Sequence, residues 1–265
     1  MAKSKEQFKK QLIIAHGEKG GVGKSMFSML AVDYLINKND GRKIAIVEGD
    51  LSVSDVATRY DGVEGITGYG VDIDKSGRDA ENAIAMLFDN LEENDSDSVI
   101  LNAPANAAKS LDVNAELILP VAQSLGYEVC VAFMIGLEAA SGEMSKRSVI
   151  CKLADRKLAV VNRRESSEDH EFAWFSNPEY QAAWAASGGI LGGELPNLAS
   201  RAASQMKDHQ GRTMVSLSGP DSPLKAVYRQ MIKDWLIASW QQAVIPLIEP
   251  ELLETGNDNE SVGGE

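Results

Sequence analysis

Residues 17–25 read GEKGGVGKS, a glycine-rich stretch that closes on a lysine and a hydroxyl and carries a second lysine ahead of its glycines. Gly20, Gly21 and Gly23 permit backbone angles closed to other residues, so successive N–H groups can turn inward and form an anion nest. A helix starting near Lys24 adds the positive end of its dipole. Lys24 would then reach the β- and γ-phosphates of a nucleotide, and the Ser25 hydroxyl would meet Mg²⁺. Glu18, Val22 and Met26 complete the candidate nucleotide-binding stretch. Cradling phosphate needs one lysine, and Lys19 is left over.

Such a loop works only between a strand and a helix. Residues 11–16 (QLIIAH) form a short apolar run that reads as a buried strand, and residues 25–37 place Met26, Met29, Leu30 and Leu35 at helical spacing. Further along, residues 42–48, 97–104, 128–136, 157–162 and 212–219 read as strands. Residues 79–93, 137–153 and 222–243 read as helices. Alternating buried strands and helices predict an α/β fold: a three-layer P-loop NTPase architecture with a mostly parallel central sheet flanked by helices. Two segments fit less well. Residues 61–77 are expected as an extended loop, and residues 165–210 as a helical insertion whose Trp174, Phe175, Tyr180 and Trp184 join the core. One nucleotide-binding domain over residues 1–248 and an acidic disordered tail over 249–265 are expected.

The strict pattern GxxxxGK[ST] fails at Glu18, whereas KGGxGK[ST] is satisfied. The stretch KGGVGKS resembles the deviant Walker A loop of the ParA/MinD-type ATPases, of the SIMIBI class. The resemblance implies that Lys19 crosses a dimer interface to the phosphates bound by the partner subunit, so that ATP and Mg²⁺ hold a homodimer together. It further implies roles for VEGDLS, where Asp50 would orient the attacking water and Glu48 would stand nearer the metal and its waters. The family's Walker B strand ends in aspartate. Here SVILNAPAN puts Asn102 there, able to bond a metal-bound water but bringing no charge, and Asn106 stands where glycine is usual. By the same resemblance Asn162 would take up adenine, Arg163 would stack or pair beside it, and the segment around Pro220 would form the other wall of the base pocket. The metal set would be Ser25, Glu48, Asp50 and, through water, Asn102. Lys19 and Asp50 are the candidate catalytic residues.

With 26 Lys and Arg against 39 Asp and Glu, the net charge is −13, which counts against direct DNA binding. Cys130 and Cys151 sit in apolar surroundings and are expected as buried free thiols. His16, His170 and His209 lack metal-ligand spacing. The polar start MAKSKEQFKK is not followed by a signal-peptide core, and no apolar run approaches the ~20 residues of a membrane span, so a cytoplasmic protein is expected. The last basic residue is Lys233, which argues against a basic membrane-binding C-terminal helix. The stripe Leu224, Val227, Met231 and Trp235 is expected to pack on the sheet.

Three functions compete on this reading. The first is an ATP-switched dimeric ATPase of the ParA/MinD type, working with an adaptor or cargo in plasmid partition, conjugation or intracellular positioning. The second is a nucleotide-binding scaffold that hardly hydrolyses ATP, because Asn102 replaces the aspartate. The third is a small-molecule enzyme of the same superfamily, against which Lys19 argues.

Overall fold

The computed structural model describes residues 9–253. Seven strands form one sheet in the order β3-β2-β4-β1-β5-β6-β7. They are β1 (Lys10–His16), β2 (Ile44–Glu48), β3 (Ile66–Gly70), β4 (Ser98–Asn102), β5 (Tyr127–Ile135), β6 (Arg156–Asn162) and β7 (Ile190–Leu195). Every ladder is parallel. All strands therefore end at one edge, where open α/β sheets bind their ligands. Along β1, Ile13 and Ala15 face one core and Leu12 and Ile14 the other, so apolar layers cover both faces.

Helix α1 (Lys24–Lys38) covers the first face. Its buried residues Phe27, Leu30, Ala31 and Tyr34 share one core with the C-terminal helix Ala226–Ser239, and Tyr34 meets Trp240, in the wider turn Trp240–Val244 that extends it, edge-on at 5.8 Å. The Trp240 indole N–H donates to the Leu30 carbonyl at 3.0 Å and fixes that contact. Two more helices matter for the site. Helix α2 (Asp55–Arg59) follows β2, and α3 (Arg78–Asn94) covers the second face through Ile84, Leu87 and Leu91.

The structure corrects several expectations. Residues 212–219 are not a strand: Met214–Ser218 is a short helix. The Thr213 hydroxyl caps it at Ser216 N–H, and the buried Asp33 of α1 accepts from Met214 N–H at 3.2 Å and Val215 N–H at 2.7 Å. A carboxylate at the N-terminus outweighs the β-prone pattern there. Residues 61–77 contain β3, an edge strand, and residues 165–210 contain β7 as well as helices. The helix expected over 137–153 breaks at Ser148, which caps Val149–Leu153. The helix expected over 222–243 begins only at Ala226; Leu224 ahead of it and Trp235 within it are buried as expected, but Val227 and Met231 are exposed, and Ile232 and Leu236 take the inward positions.

Other expectations stand. Trp174, Tyr180 and Trp184 are buried, and Trp174 meets Trp184 edge-on at 6.2 Å. Cys130 and Cys151 are buried and free, and burial pushes both thiols up to about 12. Residues 254–265, most of the segment expected as a tail, lie outside the described residues. Over its first residues the tail expectation fails: Glu249 accepts from the Tyr34 hydroxyl and pairs with Lys38, both at 2.7 Å, and residues 251–253 are helical.

Asp33 ties α1 to the rest of this face, since it also accepts the Tyr60 hydroxyl. Burial pushes its carboxyl up to about 6, while these donors and the charge of Arg59 pull it down. Asp33→Ala strands the buried Met214 N–H and removes the acceptor of the half-buried Val215 N–H, while the Tyr60 hydroxyl keeps the Met29 carbonyl; the expected loss is roughly 2–4 kcal/mol in urea unfolding at pH 7. A loss under about 1 kcal/mol would show that the cluster does not hold α1 to Met214–Ser218.

Candidate functional site

The loop leaves β1 at His16 and enters α1 at Lys24, with Gly21 and Gly23 at φ 83° and 114°. Both are left-handed values that favour glycine. At Gly23 the constraint is double, because a Cβ would lie 2.9 Å from the Asn162 amide nitrogen. At Gly20 and Gly21 a Cβ would meet nothing, so this side of the loop is open. No side chain caps the start of α1, and its first-turn N–H groups are available to an anion. The Lys24 ammonium turns back into the loop and donates to the carbonyls of Gly17 at 3.0 Å and Lys19 at 2.7 Å. Burial lowers its pKa to about 8, against the pull of Glu18.

Register brings the next residues together. Glu48 pairs across the sheet with Asn102, and Asn102 with Ala15 of β1. The Asn102 amide donates to Glu48 Oε2 at 2.8 Å and to the Ser25 hydroxyl at 3.3 Å. Glu48 Oε1 accepts from the N–H groups of Val56 and Ala57, both at 2.8 Å, so Glu48 also caps α2. Burial raises its carboxyl above the usual range, opposed by these hydrogen bonds. Asp50 stands on the wall of the cleft and accepts from Ser52 N–H and hydroxyl.

Asn106 has φ 60°, a left-handed value, which gives a physical reason for glycine at that place in the resembled motif. Asparagine is among the residues that tolerate it. Its N–H donates to the Glu18 carbonyl at 3.1 Å and joins the loop after β4 to the phosphate loop.

These parts open on one cleft of about 1310 Å³. Of the candidate residues, Gly20, Gly21, Gly23, Lys24, Ser25, Met26, Asp50, Asn102 and Asn162 line it. The side chains of Glu18, Lys19, Val22 and Glu48 do not. Val22 is buried in the core beside α1, and Glu48 reaches the site through Asn102. Lys19 points outward, its ammonium 2.6 Å from Glu138 and both side chains more than 60% exposed.

Two expectations need correction. Arg163 faces away, pairing with Glu194 and Asp169 over the rings of Phe172 and Phe175, and Arg164 lines the cleft instead. Pro220 does not wall the cleft; its carbonyl accepts from Arg229 at 2.6 Å. The wall is residues 195–198, after β7, held by the Trp235 indole N–H on the Pro196 carbonyl at 2.7 Å. Asn162 is already engaged at both ends of its amide, donating to the Val22 carbonyl at 3.3 Å and accepting from Arg164 N–H at 3.1 Å. Sequence reading missed α2, residues 195–198 and the helix Ser200–Asp208. The glycines of β7 hid the strand that carries the last two.

His16 is buried edge-on against Phe133 at 5.2 Å, and burial holds its pKa down to about 4, so it stays neutral. Among the described residues no group of three or more His, Cys, Asp or Glu side chains could hold a metal unaided, and no helix is long and apolar enough to cross a membrane. Of the expected metal set, Ser25 and Asp50 offer oxygens on the cleft wall of the kind Mg²⁺ takes beside phosphates and water, whereas Asn102 turns its amide nitrogen to Ser25 and Glu48 stands behind it, off the wall.

An all-parallel sheet with the glycine loop passing from β1 into α1 and β4 directly beside β1 is a three-layer P-loop NTPase fold. No family model matches the chain. It is similar to Protein MobD of Acidithiobacillus ferrooxidans, 24% identical over 216 residues, covering 81% of this chain and 89% of that protein. Solved structures similar to it include the septum site-determining protein MinD of Pyrococcus horikoshii OT3, solved with Mg-ADP, at 17% identity and TM-score 0.48, covering 85% of this chain and 95% of that one. FtsY of Mycoplasma mycoides is another, at 12% identity and TM-score 0.44; the match covers 71% of this chain and only 60% of FtsY.

Two measurements check the site. Anionic phosphate restores the charge of Lys24, so nucleotide binding takes up a proton as pH rises past about 8. Affinity is expected to fall about tenfold per pH unit above that point, with calorimetric enthalpies that vary with the buffer. A flat profile from pH 7 to about 9.5 would remove Lys24 from the phosphate contact. Asn102→Asp sets a second buried carboxylate against Glu48, and the expected result is a loss of roughly 1–3 kcal/mol in EDTA. Mg²⁺ with nucleotide should recover more stability in this variant than in the parent. Equal recovery would separate position 102 from the metal.

Proposed function

We propose that the protein is a nucleotide-switched ATPase of the ParA/MinD type, closing into a homodimer on ATP and Mg²⁺. The observation that carries this reading is the split use of Lys19. Its carbonyl is held inside the loop by Lys24, while its side chain leaves its own cleft and stands exposed beside Glu138. An exposed ion pair is screened by water and stabilises little, so Lys19 can exchange Glu138 for phosphate on a second subunit at small cost.

In this reading the N–H groups of the loop and of α1, with Lys24, hold the triphosphate, and Ser25 and Asn102 face the metal. Mg²⁺ supplies charge neutralisation at the phosphates. Asp50 orients the attacking water from the cleft wall. Asn162 shapes the loop through Val22 and presents its remaining lone pair and N–H toward the base, beside residues 195–198. Closure would create a surface for an adaptor or cargo, in a role of plasmid partition, conjugation or positioning, and in the cytoplasm. The chain's negative charge disfavours DNA as the direct partner.

A second reading has its own observation. Asn102 gives its amide to Glu48 and Ser25 and brings no charge, which favours a bound nucleotide that turns over slowly or not at all.

Light scattering with Mg–ATP and with Mg–ADP tests the switch. A dimer formed only with ATP in the parent, and lost in Lys19→Ala with ATP still bound, is the expected result. A mass indifferent to nucleotide would refute the switch and favour the scaffold, and phosphate release measured on the same samples gives the rate.

A further inference from the structure

The cleft is larger than its loop requires. At about 1310 Å³ it exceeds the ~300–1,000 Å³ of an ordinary small-molecule site. Its near half is the phosphate loop. Its far half lies between α2 and the helix Ser200–Asp208, over Met26 and Met29 of α1.

That far half is positively charged in a chain of net charge −13. The whole cleft wall carries Lys24, Arg59, Arg164 and Lys207 against Asp50 and Asp55. Lys24 belongs to the loop, and among the described residues Arg59, Arg164 and Lys207 form no ion pair. Arg59 is the most telling, being only 5% exposed. It donates to the carbonyls of Arg212 at 2.8 Å and Met206 at 3.2 Å, and its Nε has no partner. Among the described residues no carboxylate forms an ion pair with it. The nearby Asp33 is committed to Tyr60, Met214 and Val215. A buried cation paired only with carbonyl dipoles gains from an anion, and a buried donor without an acceptor gains from an oxygen. Thr58 and Ser204 add hydroxyls to the same wall, and Lys207 adds an exposed ammonium.

We propose that this far half is a second binding site, for a small anionic molecule bearing a carboxylate or phosphate group, occupied alongside the nucleotide and held by Arg59 and Lys207. The proposal rests on the nucleotide reading for its near neighbour only. A recessed guanidinium favours a small ligand over a macromolecule, because only a molecule that enters the cleft can reach it. Overall negative charge disfavours a nucleic-acid strand in the same place.

The test uses the full chain with Mg–AMPPNP bound, so that the γ-phosphate position is filled. Affinity for Mg–AMPPNP is determined first for each protein, and its failure would count against the nucleotide reading alone. Inorganic phosphate and succinate are then titrated separately by calorimetry. The expected result is one-to-one binding of at least one of them, weakened about tenfold or more in Lys207→Gln, as loss of a charge-assisted hydrogen bond implies. Binding of phosphate alone identifies a phosphorylated ligand, and binding of succinate alone a carboxylic acid. Arg59→Gln should weaken binding at least as much. It is scored only if its circular dichroism matches the parent, and the exposed Lys207 keeps the test decisive otherwise. No binding of either anion at millimolar concentration, or equal binding in Lys207→Gln, overturns the proposal. So does a single-stranded oligonucleotide that binds through Lys207 where neither small anion does.

Discussion

One buried ammonium organises the site. Lys24 bonds the carbonyls at both ends of the turn it closes, Gly17 and Lys19, and so fixes the loop before any phosphate arrives. Donors held in place ahead of a ligand are worth more than those that must be gathered. Fixing the Lys19 carbonyl inside also sends its side chain outside. The two lysines thus have opposite fates for one reason: the first of them lends its backbone to the second.

Parallel register supplies the rest. Because β2, β4 and β1 lie side by side, Glu48, Asn102 and the start of the loop fall in one row, and Asn102 can touch both Glu48 and Ser25. Glu48 then carries the row outward, since its other oxygen caps α2. A change at Asn102 is felt at α2 through a single carboxylate, and α2 bears Asp55, Thr58 and Arg59 on the cleft wall.

The near half of the site was legible in the sequence because it is local. Strand, loop and helix are contiguous, and glycine spacing records backbone geometry directly. Asn106 was visible as a departure, but the reason for it, a left-handed φ, was not. The far half was illegible because its parts depend on distant partners. Residues 212–219 alternate like a strand, yet a carboxylate from α1 caps them into a helix. The strand ILGGEL carries two glycines and little apolar patterning, so the wall that follows it went unseen and was sought at Pro220. Arg163 and Arg164 are adjacent in sequence. Only the carboxylates of Glu194 and Asp169 and the rings beneath them decide which one turns away.

Glu249 gives the molecule a polarity. It is clasped by Tyr34 and Lys38, at the end of α1 opposite the phosphate loop. A helix of 15 residues spans about 22 Å. Glu249 therefore lies about a full helix length from the nucleotide cleft. A fluorophore or tether attached there would travel with the body without crowding the mouth where ligands enter.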